Sequence, residues 1–271
     1  MAILRTIKNL IRPTRVVTAQ VSYLTPNNCL EGKRIVVTGG TKGIGYAIAK
    51  RLVEEGAKVL ITGRNKSELS KVAMELGCFA LPLDLTQVET FDSFVSQAIH
   101  ELGGLDCLVN NAGVSLHESS YQDVTPQGFD LQVSTNMRGP FFLTQKVMSH
   151  MEQNGIKGNI LFISSETGDT VDNRPYGWTK AAINSLVQGL AYYQIRNAIR
   201  VNAIAPGVTA TGMTGFNPES NLNCSYNPNG RVYLPEEIAE VAVFLLSDAS
   251  NLISGQIITC NNGKTINARW K

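Results

Sequence analysis

A short β-branched run followed at once by glycines constrains the fold of this chain more than any other feature. Residues 35–38 read Ile-Val-Val-Thr and predict a buried parallel strand. Glycines at 39, 40, 43 and 45 come next, and apolar residues at helical spacing predict a helix over 44–55. Glycine lets the backbone approach a pyrophosphate, and the helix start offers unpaired N–H groups. Because the spacing G-x-x-x-G-x-G departs from the usual G-x-G-x-x-G, a glycine turn without a ligand remains an alternative.

Strand and helix patterns alternate along the rest of the chain. This alternation predicts an α/β fold: a single-domain, Rossmann-like, doubly wound parallel sheet of about seven strands with helices on both faces. Ligands of such sheets bind beyond the carboxyl ends of the strands. The predicted strands are 34–38, 58–62, 78–82, 105–110, 158–164, 199–204 and 255–260, and the predicted helices are 44–55, 66–76, 87–102, 127–153, 176–196 and 235–247.

A tyrosine and a lysine four residues apart suggest proton chemistry. Tyr176 and Lys180 lie one turn apart on the same face of the predicted helix 176–196. A phenol has a reference pKa of about 10, and a nearby ammonium moves that pKa toward neutrality. With the hydroxyl of Ser165 beside it, this pair suits proton exchange with an alcohol or a carbonyl. The spacing alone is weak evidence, since a surface tyrosine stacked on a lysine stem produces it too.

Several segments, in their order along the chain, resemble the short-chain dehydrogenase/reductase family. The likeness covers about residues 31–268 and is closest to the group with β-ketoacyl-carrier-protein reductases and sugar and alcohol dehydrogenases. It implies an oxidoreductase that transfers hydride between a nicotinamide and a carbonyl or secondary alcohol. The segments are Thr38-Gly-Gly-Thr-Lys-Gly-Ile-Gly45, Asn110-Asn-Ala-Gly113, Asn136, Ser165, Tyr176, Lys180, Pro206-Gly207 and Pro235-Glu-Glu-Ile-Ala239.

The resemblance also implies a role for individual residues. Tyr176 would exchange the proton and Ser165 would hold the substrate oxygen, while Lys180 would lower the pKa of the phenol and bind the ribose hydroxyls. Asn136 resembles the family asparagine that holds a water in a proton relay; an asparagine that only bonds helix backbone is the alternative. No metal is implied. The implied cofactor contacts are Gly39, Thr41, Lys42, Gly43, Ile44, Gly45, Arg64, Asp84, Leu85, Asn111, Ala112, Gly113, Tyr176, Lys180, Pro206, Gly207, Val208 and Thr211.

Charge at the end of the second strand favours NADP(H) over NAD(H). Relatives that prefer NAD usually place an Asp there, where it binds the ribose 2′-hydroxyl. Gly63 stands at that position, so no carboxylate repels a 2′-phosphate. Arg64 follows it, and Lys42 in the glycine turn is a second cation. An ordinary solvated Arg64 is the alternative.

Two segments depart from the family pattern. Ser165 and Tyr176 are eleven positions apart, which is shorter than is usual, so the shape of that pocket wall differs. Ser165 rather than Ser164 is assigned because the following Glu-Thr-Gly matches the family register. The second departure is Cys260-Asn-Asn-Gly263, where relatives often have Asp-Gly-Gly. We expect it to affect packing or subunit contacts more than chemistry.

The substrate is less sharply specified. The predicted substrate loop, about residues 208–234, is rich in asparagine, and Glu166, Asp169, Asp172 and Arg174 lie in the catalytic loop. These side chains favour a polar substrate, sugar-like or a hydroxy-carbonyl compound. Three alternatives stay open: a loop remote from the substrate, a β-ketoacyl-carrier-protein reductase with an apolar acyl pocket, and a non-catalytic nucleotide-binding scaffold or sensor. The acyl pocket would use Met213, Phe216 and Tyr226.

Composition narrows the partners and the compartment. The chain has 271 residues and a net charge of +2, which gives no reason to expect nucleic acid. Its five cysteines are scattered without a C-x-x-C pair, so free thiols in a reducing, cytoplasmic setting are expected. No apolar run reaches membrane-spanning length. The family resemblance implies a homo-oligomer, a tetramer or a dimer.

Residues 1–30 form a basic extension before residues 31–271, the predicted oxidoreductase domain. The extension has no acidic residue, and cations such as Arg5 and Lys8 alternate with apolar residues up to Pro13. This pattern permits a basic amphipathic helix that packs on another subunit, lies on an anionic membrane, or serves as a transit segment. Subunit packing is the preferred hypothesis, and membrane contact through residues 1–15 is disfavoured.

Overall fold

The sheet has the predicted doubly wound, all-parallel topology. A computed structural model of the chain describes residues 16–23, 25 and 27–266. Its seven strands are in the order β3-β2-β1-β4-β5-β6-β7, so the order reverses between β1 and β4. Every neighbouring pair is parallel. The strands are β1 Arg34–Val37, β2 Lys58–Gly63, β3 Phe79–Pro82, β4 Cys107–Asn110, β5 Asn159–Ile163, β6 Arg200–Pro206 and β7 Ile257–Cys260.

Seven α-helices flank this sheet in the part of the chain that the structure describes. The predicted helix 127–153 is helical throughout, and it contains a π-helical turn at Ser134–Arg138 that the sequence pattern did not predict. Pro140 has no N–H to donate at the start of the following helix, and the wider turn brings Asn136 into the interior. The helices are α1 Gly43–Glu54, α2 Lys66–Leu76, α3 Phe91–Leu102, α4 Pro126–Val133, α5 Gly139–Gln153, α6 Pro175–Gln194 and α7 Pro235–Leu246.

The five central strands bury both of their faces, which explains why they read as continuous apolar runs, whereas the edge strands β3 and β7 are partly exposed. In β1, Ile35 and Val37 face the layer of α1, α2 and α7, whereas Val36 faces the layer of α3, α5 and α6. All three side chains are at most 1% exposed. Since successive side chains point to opposite faces, two apolar clusters form, one on each side of the sheet.

The carboxyl ends of the parallel strands place the predicted motifs at one edge. The glycine turn follows β1, residues 111–113 follow β4, Ser165 follows β5 and Gly207 follows β6. Between β6 and α7 the chain has no helix or strand and is held by the isolated bridges Thr209–Tyr233 and Asn223–Arg231. This stretch contains the predicted substrate loop.

Only part of the N-terminal extension, residues 16–23, 25 and 27–30, lies within the described residues. The predicted amphipathic helix falls within residues 1–15, which lie outside the described residues. Residues 16–21 contact the substrate loop of the same chain, through main-chain bonds and apolar side chains. For these residues the structure shows packing within the chain, and packing of the extension on another subunit stays a hypothesis.

Candidate active site

Ser165 and Tyr176 are neighbours at the end of β5. Ser165 follows the strand and Tyr176 stands in the first turn of α6, with the Ser165 hydroxyl near enough to lower the pKa of the phenol. The hydroxyl of Thr167 also donates to Ser165 Oγ at 3.0 Å. Ser164 instead donates to Asn184 Oδ1 at 2.5 Å. The geometry therefore pairs the tyrosine with Ser165, the serine that the register favours, despite the short connection.

Lys180 lies behind the tyrosine ring and is 5% exposed. Its Nζ donates to the carbonyl of Ile163 at 2.8 Å and lies 5.6 Å from the centre of the Tyr176 ring. Burial lowers the pKa of Lys180 to about 8. An ammonium with few compensating contacts is costly inside a protein, which is the cause of this shift.

The effect on the phenol differs from the sequence-based expectation. Burial raises the pKa of Tyr176, and the hydrogen bond from Ser165 acts in the opposite direction. The predicted lowering of the phenol pKa by Lys180 is therefore wrong for this geometry, in which desolvation prevails. The ammonium lies 5.6 Å from the ring centre, and burial lowers the pKa of Lys180 itself.

Asn136 lies in the π-helical turn and closes the back of this cluster. Its Oδ1 accepts from Val114 N–H at 2.8 Å, and its Nδ2 donates to the carbonyl of Val114 at 2.8 Å and to Thr179 Oγ1 at 3.3 Å. A methyl group at Gly113 would lie 3.3 Å from Asn136 Oδ1 and 3.7 Å from Lys180 Nζ. The side-chain amide thus holds the loop after β4 beside Lys180. This resembles the alternative in which Asn136 only bonds backbone, except that the backbone belongs to a loop and not to a helix.

The glycine turn forms an open cradle between β1 and α1. Gly39 and Gly43 have φ of +64° and +58°, which favour glycine. A Cβ at Gly45 would collide with the carbonyl oxygen of Gly39. Lys42, the N-cap of α1, makes no side-chain capping bond, so the first N–H groups of the helix stay available. These features fit a pyrophosphate at the helix N-terminus.

A threonine that the sequence analysis did not assign organises this cradle. Thr38 is fully buried at the end of β1, and its Oγ1 accepts from the N–H groups of Asn111 and Ala112 at 3.0 and 3.1 Å. Asn111 Nδ2 returns bonds to the carbonyls of Thr38 and Gly39 at 2.9 and 3.0 Å. A polar residue ending an apolar strand was the available signal, because a buried hydroxyl requires partners.

The ends of β2 and β3 carry three further residues that the family resemblance assigns to the cofactor, Arg64, Asp84 and Leu85. A Cβ at Gly63 would lie 3.1 Å from the methyl group of Thr41. Arg64 and Asp84 line a cavity of about 330 Å³. The carboxylate of Asp84 accepts from the N–H and hydroxyl of Thr86 at 2.9 and 2.8 Å. Leu85 is buried nearby, against Gly139.

Cations on this side have no internal carboxylate. Arg64 and Lys42 are both exposed, at the end of β2 and in the glycine turn. Within the described residues, neither forms a salt bridge. Ile44 follows Lys42 and is partly buried.

The segment after β6 reaches back to the glycine turn. Gly207 N–H donates to the carbonyl of Cys260 at 2.9 Å, and the carbonyl of Val208 accepts from Tyr233 N–H at 2.9 Å. A Cβ at Gly43 would lie 3.2 Å from the methyl group of Thr211. Residues 206–211 therefore connect the sheet, the substrate loop and the cradle.

A buried charged cluster lies behind this segment, and the sequence analysis did not find it. Glu166 Oε1 pairs with Lys264 Nζ at 2.7 Å, and Asn261 Nδ2 donates to Glu166 Oε2 at 3.1 Å. Lys264 Nζ also lies 5.3 Å from the centre of the Tyr226 ring. A Cβ at Gly207 would meet this cluster too, 3.2 Å from Glu166 Oε2. The unusual Cys260-Asn-Asn-Gly263 segment was the available signal, because its Asn261 binds Glu166.

Most charged side chains of the catalytic loop bind other protein groups. Asp169 Oδ1 accepts from Asn184 Nδ2 at 2.9 Å, and Asp172 pairs with Arg174 at 2.8 Å. The Asp172 side chain is only 5% exposed. With Glu166 bound to Lys264, these residues give little support to the predicted polar substrate.

The asparagines of the substrate loop also serve the loop itself. Asn217 Oδ1 accepts from Glu219 N–H at 2.9 Å, and Asn227 Nδ2 donates to the carbonyl of Arg231 at 2.8 Å. Short asparagine side chains commonly stabilise turns in this way. The asparagine content is therefore explained by the irregular backbone of the loop and gives no independent evidence for a polar substrate.

The described residues hold neither a metal-binding cluster nor a membrane-spanning helix. No group of three or more His, Cys, Asp or Glu side chains there is arranged to hold a metal ion. Nor does any helix in those residues combine the length and apolar character needed to cross a membrane.

The sequence of this chain is similar to those of known oxidoreductases. A model of the short-chain dehydrogenase/reductase family, described as "Enoyl-(Acyl carrier protein) reductase", matches residues 39–265. Gluconate 5-dehydrogenase of Gluconobacter oxydans is 32% identical over 248 residues, 88% of this chain and 96% of that protein. L-fucose dehydrogenase of Bos taurus is 34% identical over 230 residues, 81% of this chain and 84% of that protein.

A solved structure shares the fold and a comparable level of identity. It is the crystal structure of 3-ketoacyl-(acyl-carrier-protein) reductase from Brucella melitensis complexed with NADH. The TM-score is 0.81 at 32% identity, and the match covers 88% of this chain and all of that one.

Proposed function

Because the chain belongs to the short-chain dehydrogenase/reductase family of oxidoreductases, we propose that it interconverts a carbonyl and a secondary alcohol with NADP(H). The observation that carries this proposal is the placement of Ser165 beside Tyr176, with Lys180 Nζ 5.6 Å from the tyrosine ring centre, at the edge of the sheet that also bears the glycine cradle. A protein that only binds a nucleotide has no need of this proton-transfer set.

The cradle residues would hold the dinucleotide. The N–H groups at the start of α1 would bind the pyrophosphate, and Lys180 would reach the ribose beside the nicotinamide. Residues 206–211 would fix the orientation of the nicotinamide. When bound, the cofactor supplies or accepts the hydride.

Tyr176 is the proton donor when a carbonyl is reduced. Burial raises its pKa, so the phenol is protonated at neutral pH and ready to donate. Ser165 donates a hydrogen bond to the same substrate oxygen and stabilises its developing negative charge. Asn136 keeps the loop after β4 beside Lys180, which maintains the shape of the site.

The direction of the Tyr176 shift sets the pH dependence. Reduction needs the protonated phenol and loses rate as pH rises through its pKa, whereas alcohol oxidation needs the phenolate and gains rate. We expect kcat/KM for oxidation to rise continuously toward alkaline pH. A maximum at acidic pH for oxidation would contradict this assignment.

Catalysis is tested by Tyr176→Phe with Tyr192→Phe as the matched control. Tyr192 lies on the same helix and is 81% exposed. We expect the first variant to lose about 10²–10⁴-fold in kcat while NADPH binding, followed by fluorescence, stays close to wild type. Retained turnover would remove the proposed acid, and no turnover in the wild type over a broad carbonyl panel would favour the non-catalytic scaffold.

The NADP(H) preference rests on Gly63, Arg64 and Lys42. The exposed guanidinium of Arg64 has no internal carboxylate partner among the described residues, so it is available to a 2′-phosphate. The Brucella melitensis reductase was solved with NADH, so relatives of this fold also take the cofactor without that phosphate. The preference is therefore a property to be measured on this chain.

A double variant tests the preference. Gly63→Asp with Arg64→Ala introduces a carboxylate and removes the cation; the new Cβ would meet the Thr41 methyl group at 3.1 Å, a contact that needs only a small shift. We expect the ratio of kcat/KM for NADPH over NADH to fall about 100-fold, from lost charge-assisted bonds and added repulsion. Lys66→Ala, the next exposed cation, should leave the ratio within about twofold. A wild type that prefers NADH would refute the proposal.

A small polar substrate, sugar-like or a hydroxy-carbonyl compound, is the first candidate. Two relatives are named for gluconate and L-fucose, and they support this class more than the loop asparagines do. A β-ketoacyl thioester is the second candidate, favoured by the structural match to a 3-ketoacyl reductase. NADPH oxidation with a panel of keto-sugars, hydroxy-ketones and acetoacetyl thioesters decides between them by kcat/KM.

Self-association and location complete the proposal. Aromatic side chains of Phe129, Phe141, Phe142 and Trp178 are 36% to 49% exposed on α4, α5 and α6. Exposed aromatic groups of this kind favour a second copy of the chain as partner, in a dimer or tetramer. Light scattering would give the mass. The five cysteines are free, which is compatible with the cytoplasm.

A further inference from the structure

The segment from residue 16 to residue 22 lies on the substrate loop in a regular pattern. Residues 17, 19 and 21 are partly buried, while 16, 18, 20 and 22 are exposed. A period of two is typical of an extended segment that places one row of side chains on a surface. We call residues 16–22 the strap.

Two hydrogen bonds fix the strap to the loop. Leu222 N–H donates to the carbonyl of Val17 at 2.9 Å, and Val17 N–H donates to Asn221 Oδ1 at 2.9 Å. On its other side, the carbonyl of Leu222 accepts from Val232 N–H at 2.9 Å. The backbone of Leu222 is therefore held between the strap and the returning half of the loop.

The same contact covers an apolar cluster that is separate from the two main layers of the core. Ala19 and Val21 pack on it from the strap, and its own members are at most 7% exposed. Together with the two isolated bridges and the asparagine turn bonds, the cluster and its cover order a loop that has no helix or strand of its own. The buried members are Ala210, Leu222, Cys224, Val232 and Leu234.

The cluster is connected to the proposed nicotinamide segment. Ala210 N–H donates to the carbonyl of Tyr233 at 2.8 Å, and Tyr233 N–H donates to the carbonyl of Val208 at 2.9 Å. Thr211, next in sequence to Ala210, lies against Gly43 of the cradle. A change in the packing of the strap thus reaches residues 208–211 through adjacent backbone contacts.

We propose that the strap is a positioning segment that holds the substrate loop in the shape that binds substrate. Its hydrogen bonds and apolar contacts go to the substrate loop, so we expect it to act mainly on substrate affinity rather than on proton transfer at Tyr176. The inference goes beyond the proposed function, because it assigns a role to residues before the family domain begins.

Adjacent residues of the strap provide a matched pair of variants. Ala19→Asp places a carboxylate on the apolar cluster, whereas Gln20→Asp places the same group in solvent. We expect Ala19→Asp to speed amide hydrogen exchange of residues 216–234 at least about tenfold, and Gln20→Asp to leave it unchanged. The KM for the most active carbonyl compound of the substrate panel should rise about fivefold in the first variant alone. Equal exchange in both variants, or faster exchange without a change in KM, would overturn the proposal.

A pair of truncations provides the second test. Removal of residues 1–15 keeps the strap, and removal of residues 1–22 deletes it. We expect the longer truncation alone to reproduce the exchange and KM of Ala19→Asp while the thermal transition of the sheet domain remains cooperative. Wild-type exchange in that truncation would refute the strap. Since exchange needs no turnover, the strap and the proposed reductase activity can fail independently.

Discussion

Replacing Lys180 by methionine should make the ligand-free protein more stable at neutral pH while abolishing its activity. Burial lowers the pKa of this lysine from 10.5 to about 8, which means that the folded state disfavours its charged form. Below pH 8 the ammonium must be kept in the interior, and this costs about 3 kcal/mol at pH 7 from a shift of about 2.5 units. Methionine is of similar length and carries no charge.

The loss of one hydrogen bond opposes this gain. Lys180 Nζ donates to the carbonyl of Ile163, and leaving that carbonyl unpaired costs about 1 kcal/mol. The variant should therefore unfold with a free energy about 2 kcal/mol higher than that of wild type at pH 7. Breaking the contact with the Tyr176 ring also removes the group proposed to bind the ribose, so turnover is lost.

The dependence on pH separates this explanation from ordinary packing. Between pH 8 and 10.5 the unfolded lysine holds a proton that the folded one has released, so wild-type stability from this group rises with pH. The advantage of the variant should shrink by about 2 kcal/mol between pH 7 and about pH 9.5. Below pH 7 it should stay constant.

Urea unfolding of the ligand-free protein, at one fixed protein concentration, measures both quantities. Lys71→Met, an exposed lysine on α2, controls for the loss of a positive charge. A Lys180→Met variant that is less stable than wild type at pH 7, or equally more stable at both pH values, would refute the reasoning.

Two further predictions concern the cradle and the charged cluster. Gly45→Ala should abolish cofactor binding in a fluorescence titration because its Cβ collides with the carbonyl of Gly39, whereas Gly189→Ala, with open space around it in α6, should stabilise the protein by about 0.5–1 kcal/mol in urea. Equal cofactor affinity in the two glycine variants would contradict the steric argument. Lys264→Met should cost about 2–4 kcal/mol because the Glu166 side chain, 9% exposed, loses its cation, and Glu166→Gln combined with Lys264→Met should recover at least half of that free energy. A double variant as unstable as the single one would show that charge is not the cause.

Local pattern predicted the sheet and the long helical region, but not the π-helical turn inside that region. The seven strand segments were recognisable because parallel strands bury both faces and therefore read as apolar runs. The span 127–153 has helical character throughout, and periodicity did not reveal the π-helical turn at Ser134–Arg138. That turn depends on Asn136 finding the backbone of Val114, a contact made by residues distant in sequence.

The candidate site divides in the same way. Ser165, Tyr176 and Lys180 were predicted to lie together. Ser165 follows a predicted strand, and Tyr176 and Lys180 lie one turn apart on the next predicted helix. The structure brings the three together. The direction of the Tyr176 pKa shift was predicted wrongly. Spacing along a helix gives the nearest cation, whereas desolvation depends on everything that packs around the phenol.

The sequence by itself determined the strand–glycine–helix cradle, the parallel sheet and the side chains that meet at its carboxyl edge, since these depend on local periodicity and on the special conformations of glycine. Tertiary structure alone decided which charges are compensated. Lys264 reaches Glu166 across the fold. In the same way the strap, which no local pattern linked to a partner, lies on a loop about 200 residues later in the chain. Burial and long-range pairing are properties of the whole packed chain, and no window of sequence contains them.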